Sequence, residues 1–123
     1  MSKIVDALIW DMDGTIADLY SVDEWESKLR VSDPSPYLDA EPLVDMAALR
    51  ELLQRAKSMN IRIITVSWSS MGGTVEYGRE VRKAKKQWLE THCPELLEEL
   101  HVVKYGTDKY SLCKGLRAVL IDD

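Results

Sequence analysis

The sequence predicts an α/β fold, a three-layer Rossmann-like arrangement on a parallel sheet, and three observations carry that prediction. Short apolar runs at 4–10, 61–67 and 118–121 have strand length and alternate with longer stretches of helical periodicity. The first run is apolar on both faces, as a central strand is when helices cover it on each side. Two of the runs end abruptly in carboxylates, Asp11 and Asp13 after the first and Asp122 and Asp123 after the last. The carboxyl ends of strands are where open α/β sheets bind ligands.

Taken in order, the first strand runs into Asp11-Met12-Asp13-Gly14-Thr15. Asp11 and Asp13 sit two positions apart, so their side chains leave on one face if the strand geometry persists, and Gly14 permits a sharp exit. Two anions this close repel unless a divalent cation or a shared proton offsets the repulsion, and hard oxygen ligands suit Mg²⁺. The 16–42 stretch that follows is irregular, with Pro34, Pro36 and Pro42. Within it Ser21 and Glu24 have capping-box spacing, and Val22, Trp25 and Leu29 share one helical face. Too short to be independent, this stretch is expected to form a small flap beside Asp11 and Asp13 within a single 1–123 domain.

Leu43, Met46, Leu49, Leu53 and Ala56 recur at steps of three and four, which predicts a helix over 43–59 with Pro42 at its start and Asn60 at its left-handed end. The β-branched run 61–67 is the second strand, and strand, helix, strand in that order predicts a right-handed parallel crossover. After a loop containing Gly72 and Gly73, a helix over 75–91 carries Tyr77, Val81, Ala84 and Trp88 as its apolar stripe. Arg79, Arg82, Lys83, Lys85 and Lys86 are assigned to its opposite, solvated face. Pro94 opens a short acidic helix through Leu100, 101–105 reads as a third strand, 106–108 as a turn, 109–115 as a brief helical piece and 118–121 as the fourth strand.

Composition narrows the function classes. With 123 residues, 46% hydrophobic and 30% charged, the chain supports one domain and one core. It has no apolar run of membrane-spanning length and no signal-peptide pattern, which points to a cytoplasmic location without a membrane partner. Cys93 and Cys113 lie far apart and read as reduced structural thiols. A zinc site from His92, Cys93, His101 and Cys113 would match no familiar ligand spacing. The net charge of -5 disfavours general nucleic-acid binding. Gly72, Gly73 and Gly78 fit neither the P-loop nor the dinucleotide spacing.

The stretch Asp11-Met12-Asp13-Gly14-Thr15 resembles the first signature of the haloacid dehalogenase superfamily, and candidates for that family's other three signatures follow in its chain order. These are a hydroxyl at the end of the second strand (Ser67, with Thr65 the weaker candidate), a lysine before the last strand (Lys109, with Lys104 as competitor), and the pair Asp122 and Asp123. In response-regulator receiver domains the acidic pair comes first and the lysine last; here an acidic pair follows the lysine. The resemblance covers nearly the whole chain and implies a capless phosphatase with the sheet strands ordered third, second, first, fourth, so that Asp11 and Asp122 meet. It further implies Asp11 as nucleophile and Asp13 as acid and base. Ser67 and Lys109 would hold the phosphate, and Asp11, Asp13, Asp122 and Asp123 would form the Mg²⁺ site. The implied substrate is a small phosphorylated molecule, a nucleotide or a polynucleotide end, with Trp68 and Trp25 available to stack on a base. The competing expectation is a catalytically weak protein of this fold that serves as a binding or regulatory module through its basic helix face.

Overall fold

The computed structural model describes residues 5–70, 72–113 and 115–122, apart from the side chains of 112 and 113. Four strands form a parallel sheet: β1 Ala7–Trp10, β4 Arg62–Trp68, β5 Leu100–Val103 and β6 Ala118–Ile121, ordered β5-β4-β1-β6. Counted within this sheet alone, that is third, second, first, fourth. Strands β2 Ala17–Asp18 and β3 Glu41–Pro42 form a separate antiparallel pair.

Helices α3 Met46–Ser58 and α4 Val75–His92 complete the crossovers on one face of the sheet. There Trp10 and Ile63 pack with Leu49, Leu53, Ala56, Trp88 and Leu89. On the opposite face Ala7, Ile9, Ile64 and Val66 are covered, among the described residues, by Leu116 and neighbouring strand side chains rather than by a long helix. The α/β parallel sheet with helices is therefore as expected. Leu53 is fully buried in the α3 interface. Leu53→Ala is expected to lower the unfolding free energy by about 3 kcal/mol in urea titrations, since the lost methyl groups leave a cavity.

Local chemistry explains where α3 begins and ends. Asp45, not Pro42, is its N-cap, accepting a hydrogen bond from Ala48 N at 3.1 Å, because Pro42 is committed to β3. At the far end Asn60 adopts φ 61°, and Asn60 N and Ile61 N return to the carbonyls of Lys57 and Ala56, which closes the last turn. The acidic helix expected over 94–100 is only a 3-10 turn at Pro94–Leu96, and Leu100 already belongs to β5.

The 16–42 segment leaves β1 through Gly14 at φ 78° and contains α1 Trp25–Arg30 and α2 Ser35–Asp39. The expected capping box does not form. Ser21 Oγ instead donates to Asp18 Oδ2 at 2.6 Å, and Glu24 occupies the N-cap of α1 in a left-handed conformation. The segment docks on α4: Leu19 and Tyr37 pack with Tyr77, Val81 and Ala84, joined by Trp25 and Leu29. Trp88 Nε1 donates to Ala40 O at 2.7 Å, and the β2–β3 pair draws the segment's ends together.

Candidate functional site

The carboxyl ends of β1, β4 and β6 open into a cleft of about 510 Å³, lined by Asp11, Asp13, Lys109 and Asp122 and walled by residues of the 16–42 segment. Parallel registration explains the convergence, because Trp10 lies opposite Thr65 on one side and Ile121 on the other. Asp11 and Asp122, the residues that follow, consequently emerge side by side.

Asp11 is buried, with 6% of its surface exposed. Its Oδ1 is 2.9 Å from Lys109 Nζ, which also donates to Asp122 Oδ2 at 3.0 Å, and its Oδ2 accepts from Thr15 Oγ1 at 3.3 Å. Burial, and then the adjoining Asp122 carboxyl, push Asp11 up to about 6 against the pull of Lys109. Burial works against the Lys109 charge, yet Asp11 and Asp122 together hold its ammonium above the ordinary lysine value. Lys109 also lies over the Trp68 ring, 4.6 Å from its centroid. Trp68 is fixed in turn by its Nε1 bond to Thr107 O at 2.8 Å and by contact with Tyr105.

Asp13 faces a different cation. Lys85 Nζ, from the middle of α4, donates to Asp13 Oδ2 at 2.8 Å, Ser67 Oγ at 2.5 Å and Trp68 O at 2.7 Å. Lys85 is fully buried, which overturns its assignment to the solvated face with Arg79, Arg82, Lys83 and Lys86; those four remain exposed. The missed signal was its phase, since Lys85 falls between Val81 and Trp88 on the stripe that the helix buries.

Of the two hydroxyls considered at the end of the second strand, Thr65 is buried, donates to Leu96 O at 2.7 Å and does not line the cleft. Ser67 is equally buried and joins the site through Lys85, while the serines lining the cleft itself are Ser69 and Ser70. Lys104 is exposed, and Lys109 is the lysine that meets the carboxylates. Asp123 lies outside the described residues.

The remaining walls are aromatic. Tyr20, Trp25, Tyr37, Trp68 and Tyr105 all border the cleft. Burial, followed by the nearby Asp13 charge, raises the Tyr37 hydroxyl above its ordinary value.

No group of three or more His, Cys, Asp or Glu side chains among the described residues is arranged to hold a metal ion. Cys93 is a free buried thiol pushed up to about 11 by burial, in keeping with a structural role. The acidic face of the cleft has a different donor set. The carboxylates of Asp11 and Asp122 both meet Lys109, and burial, followed by the Asp122 carboxyl, raises the proton affinity of Asp11. Carboxylate oxygens are hard ligands of the kind that Mg²⁺ takes. Comparison with models of protein families, with curated proteins and with solved structures gives no match to this chain. Among the described residues no helix is long and apolar enough to cross a membrane.

Proposed function

We propose that the chain is a phosphatase that works through an aspartyl-phosphate, in the manner its haloacid dehalogenase resemblance implies. The observation that supports this best is the buried Asp11 carboxyl on the cleft, held by Lys109 at 2.9 Å with Asp122 on the same ammonium and Asp13 alongside. Asp11 attacks phosphorus in line, and the bond to the leaving oxygen breaks as Asp13 supplies that oxygen with a proton. Asp13 then takes a proton from water, whose oxygen displaces Asp11 from phosphorus and releases inorganic phosphate. Lys109 offsets the charge that gathers on the phosphoryl oxygens and on Asp11. Mg²⁺ held by the Asp11 and Asp122 carboxylates and the Asp13 carbonyl would supply electrostatic attraction between an anionic nucleophile and an anionic substrate.

The aromatic walls support a nucleotide or a polynucleotide end as substrate. Trp68 is already engaged by Lys109, Tyr105 and Thr107. Trp25, half-buried on α1 and in a T-shaped contact with Tyr20 at 5.1 Å between ring centroids, is better placed to receive a base.

The test is release of phosphate from p-nitrophenyl phosphate and from a panel of nucleoside monophosphates. Turnover is expected with Mg²⁺ and a fall to background in EDTA, restored by added Mg²⁺. Turnover unaffected by EDTA would overturn the metal assignment. No turnover at high protein concentration would favour the binding-module reading instead.

A further inference from the structure

The phosphatase chemistry as written leaves Lys85 without a task, although its ammonium is fully buried beside the cleft. Burying a charge is unfavourable unless hydrogen bonds replace its water. Here the replacement is complete: a lysine has three protons to donate, and Asp13 Oδ2, Ser67 Oγ and Trp68 O accept them. The ring of Tyr37, from α2, lies 4.7 Å from the same nitrogen. With every proton engaged inside the protein, Lys85 has none left for a ligand. Its influence on the site passes through the groups it holds.

We propose that Lys85 is a positioning residue for the leaving-group proton. It anchors one oxygen of Asp13, so the carboxyl group cannot rotate freely and presents Oδ1 to the substrate oxygen that departs. It also occupies an acceptor lone pair of Ser67, which turns that hydroxyl's own proton away from α4. The arrangement ties the acid to the end of β4 and to the 16–42 segment, the wall against which a leaving group sits. This inference rests on the phosphatase reading of the same site.

Leaving-group dependence separates positioning of the acid from general support of the fold. Departure of p-nitrophenolate needs little help from an acid, whereas departure of an alkoxide needs a great deal. The quantity to compare is kcat/KM, which reports steps up to loss of the leaving group, for p-nitrophenyl phosphate and glycerol phosphate. Lys85→Met is expected to lower kcat/KM about 100-fold on glycerol phosphate and less than about 5-fold on p-nitrophenyl phosphate. In an Asp13→Asn background the same change is expected to cost little more, because its effect runs through Asp13. Equal losses on both substrates in an active protein, or independent multiplication in the double variant, would overturn the proposal while leaving the phosphatase standing. A wild-type chain inactive on both substrates overturns the phosphatase reading, and this assignment falls with it.

Should Lys85→Met fail to fold, ¹⁵N-lysine spectra of the otherwise native chain decide the matter. Two protected ammonium signals are expected, one moved by Asp13→Asn and by Ser67→Ala, the other by Asp11→Asn. A spectrum in which Asp13→Asn moves neither signal overturns the proposal.

Discussion

Asp11→Asn is expected to abolish phosphate release, by about 10⁶-fold or to background, because the amide cannot form the covalent intermediate. The same change should make the metal-free protein more stable at neutral and alkaline pH. The folded state holds the Asp11 proton up to about 6, against an ordinary value of 3.8. A raised carboxyl value favours the folded state fully below the ordinary value, and that advantage is lost as pH rises through the folded one. Above about pH 6 an ionised Asp11 therefore burdens the apo fold by something on the order of 2 kcal/mol. Asparagine imitates the protonated carboxyl and removes that burden. Urea unfolding in EDTA should show the variant's advantage near pH 8, shrinking towards pH 4. A variant less stable than wild type near pH 8 would show that the bond to Lys109 outweighs burial, and the electrostatic account of the site would be wrong.

Lys109→Met should have the largest combined effect on stability and turnover. Lys109 is 7% exposed and is the bridge between Asp11 and Asp122; without it two carboxyl groups confront each other. Breaking a buried pair by removing one partner costs about 3–5 kcal/mol. The lower end applies here, since Asp122 keeps 31% of its side chain exposed and Asp11 can relieve the conflict by taking up a proton. The loss near pH 8 is accordingly expected to be about 3 kcal/mol and smaller below about pH 5. Turnover should fall about 10³-fold, as for removal of a cationic or hydrogen-bonding stabiliser of a charged transition state. Lys104→Met, on an exposed side chain, is the matched control and should change neither quantity. Equal effects of the two substitutions on turnover would refute the placement of Lys109 in the site.

The parts legible in the sequence are those in which local pattern and tertiary environment agree. The β-branched run ending in Ser67 could be little else than a buried strand, and β4 occupies it almost residue for residue. Asp11 and Asp122 were expected as partners because the resemblance implies that the first and fourth strands are neighbours, and neighbouring parallel strands end at one level, as β1 and β6 do. Lys85 was not legible. Composition argued that a lysine among Arg82, Lys83 and Lys86 is solvated, while helical phase placed it with Val81, Ala84, Trp88 and Leu89. Phase prevailed because Asp13 and Ser67, remote in sequence, supply the acceptors that make burial of the ammonium tolerable. Ser21 failed for a related reason: a capping-box reading assumes that the hydroxyl has no closer acceptor, and Asp18 is one.

The short β2–β3 ladder has an architectural consequence. By fastening Ala17 to Pro42 and Asp18 to Glu41, it fixes where the chain departs from the sheet and where it returns, independently of the path between. The intervening piece is thereby a cassette on a rigid mount. Exchanging it for one of different length alters little in the entropy of closing the circuit, which grows only slowly with length, provided the replacement keeps the packing of Leu19 and Tyr37 on α4. Such an exchange would change the wall of the cleft while the ends of β1, β4 and β6 keep their mutual register.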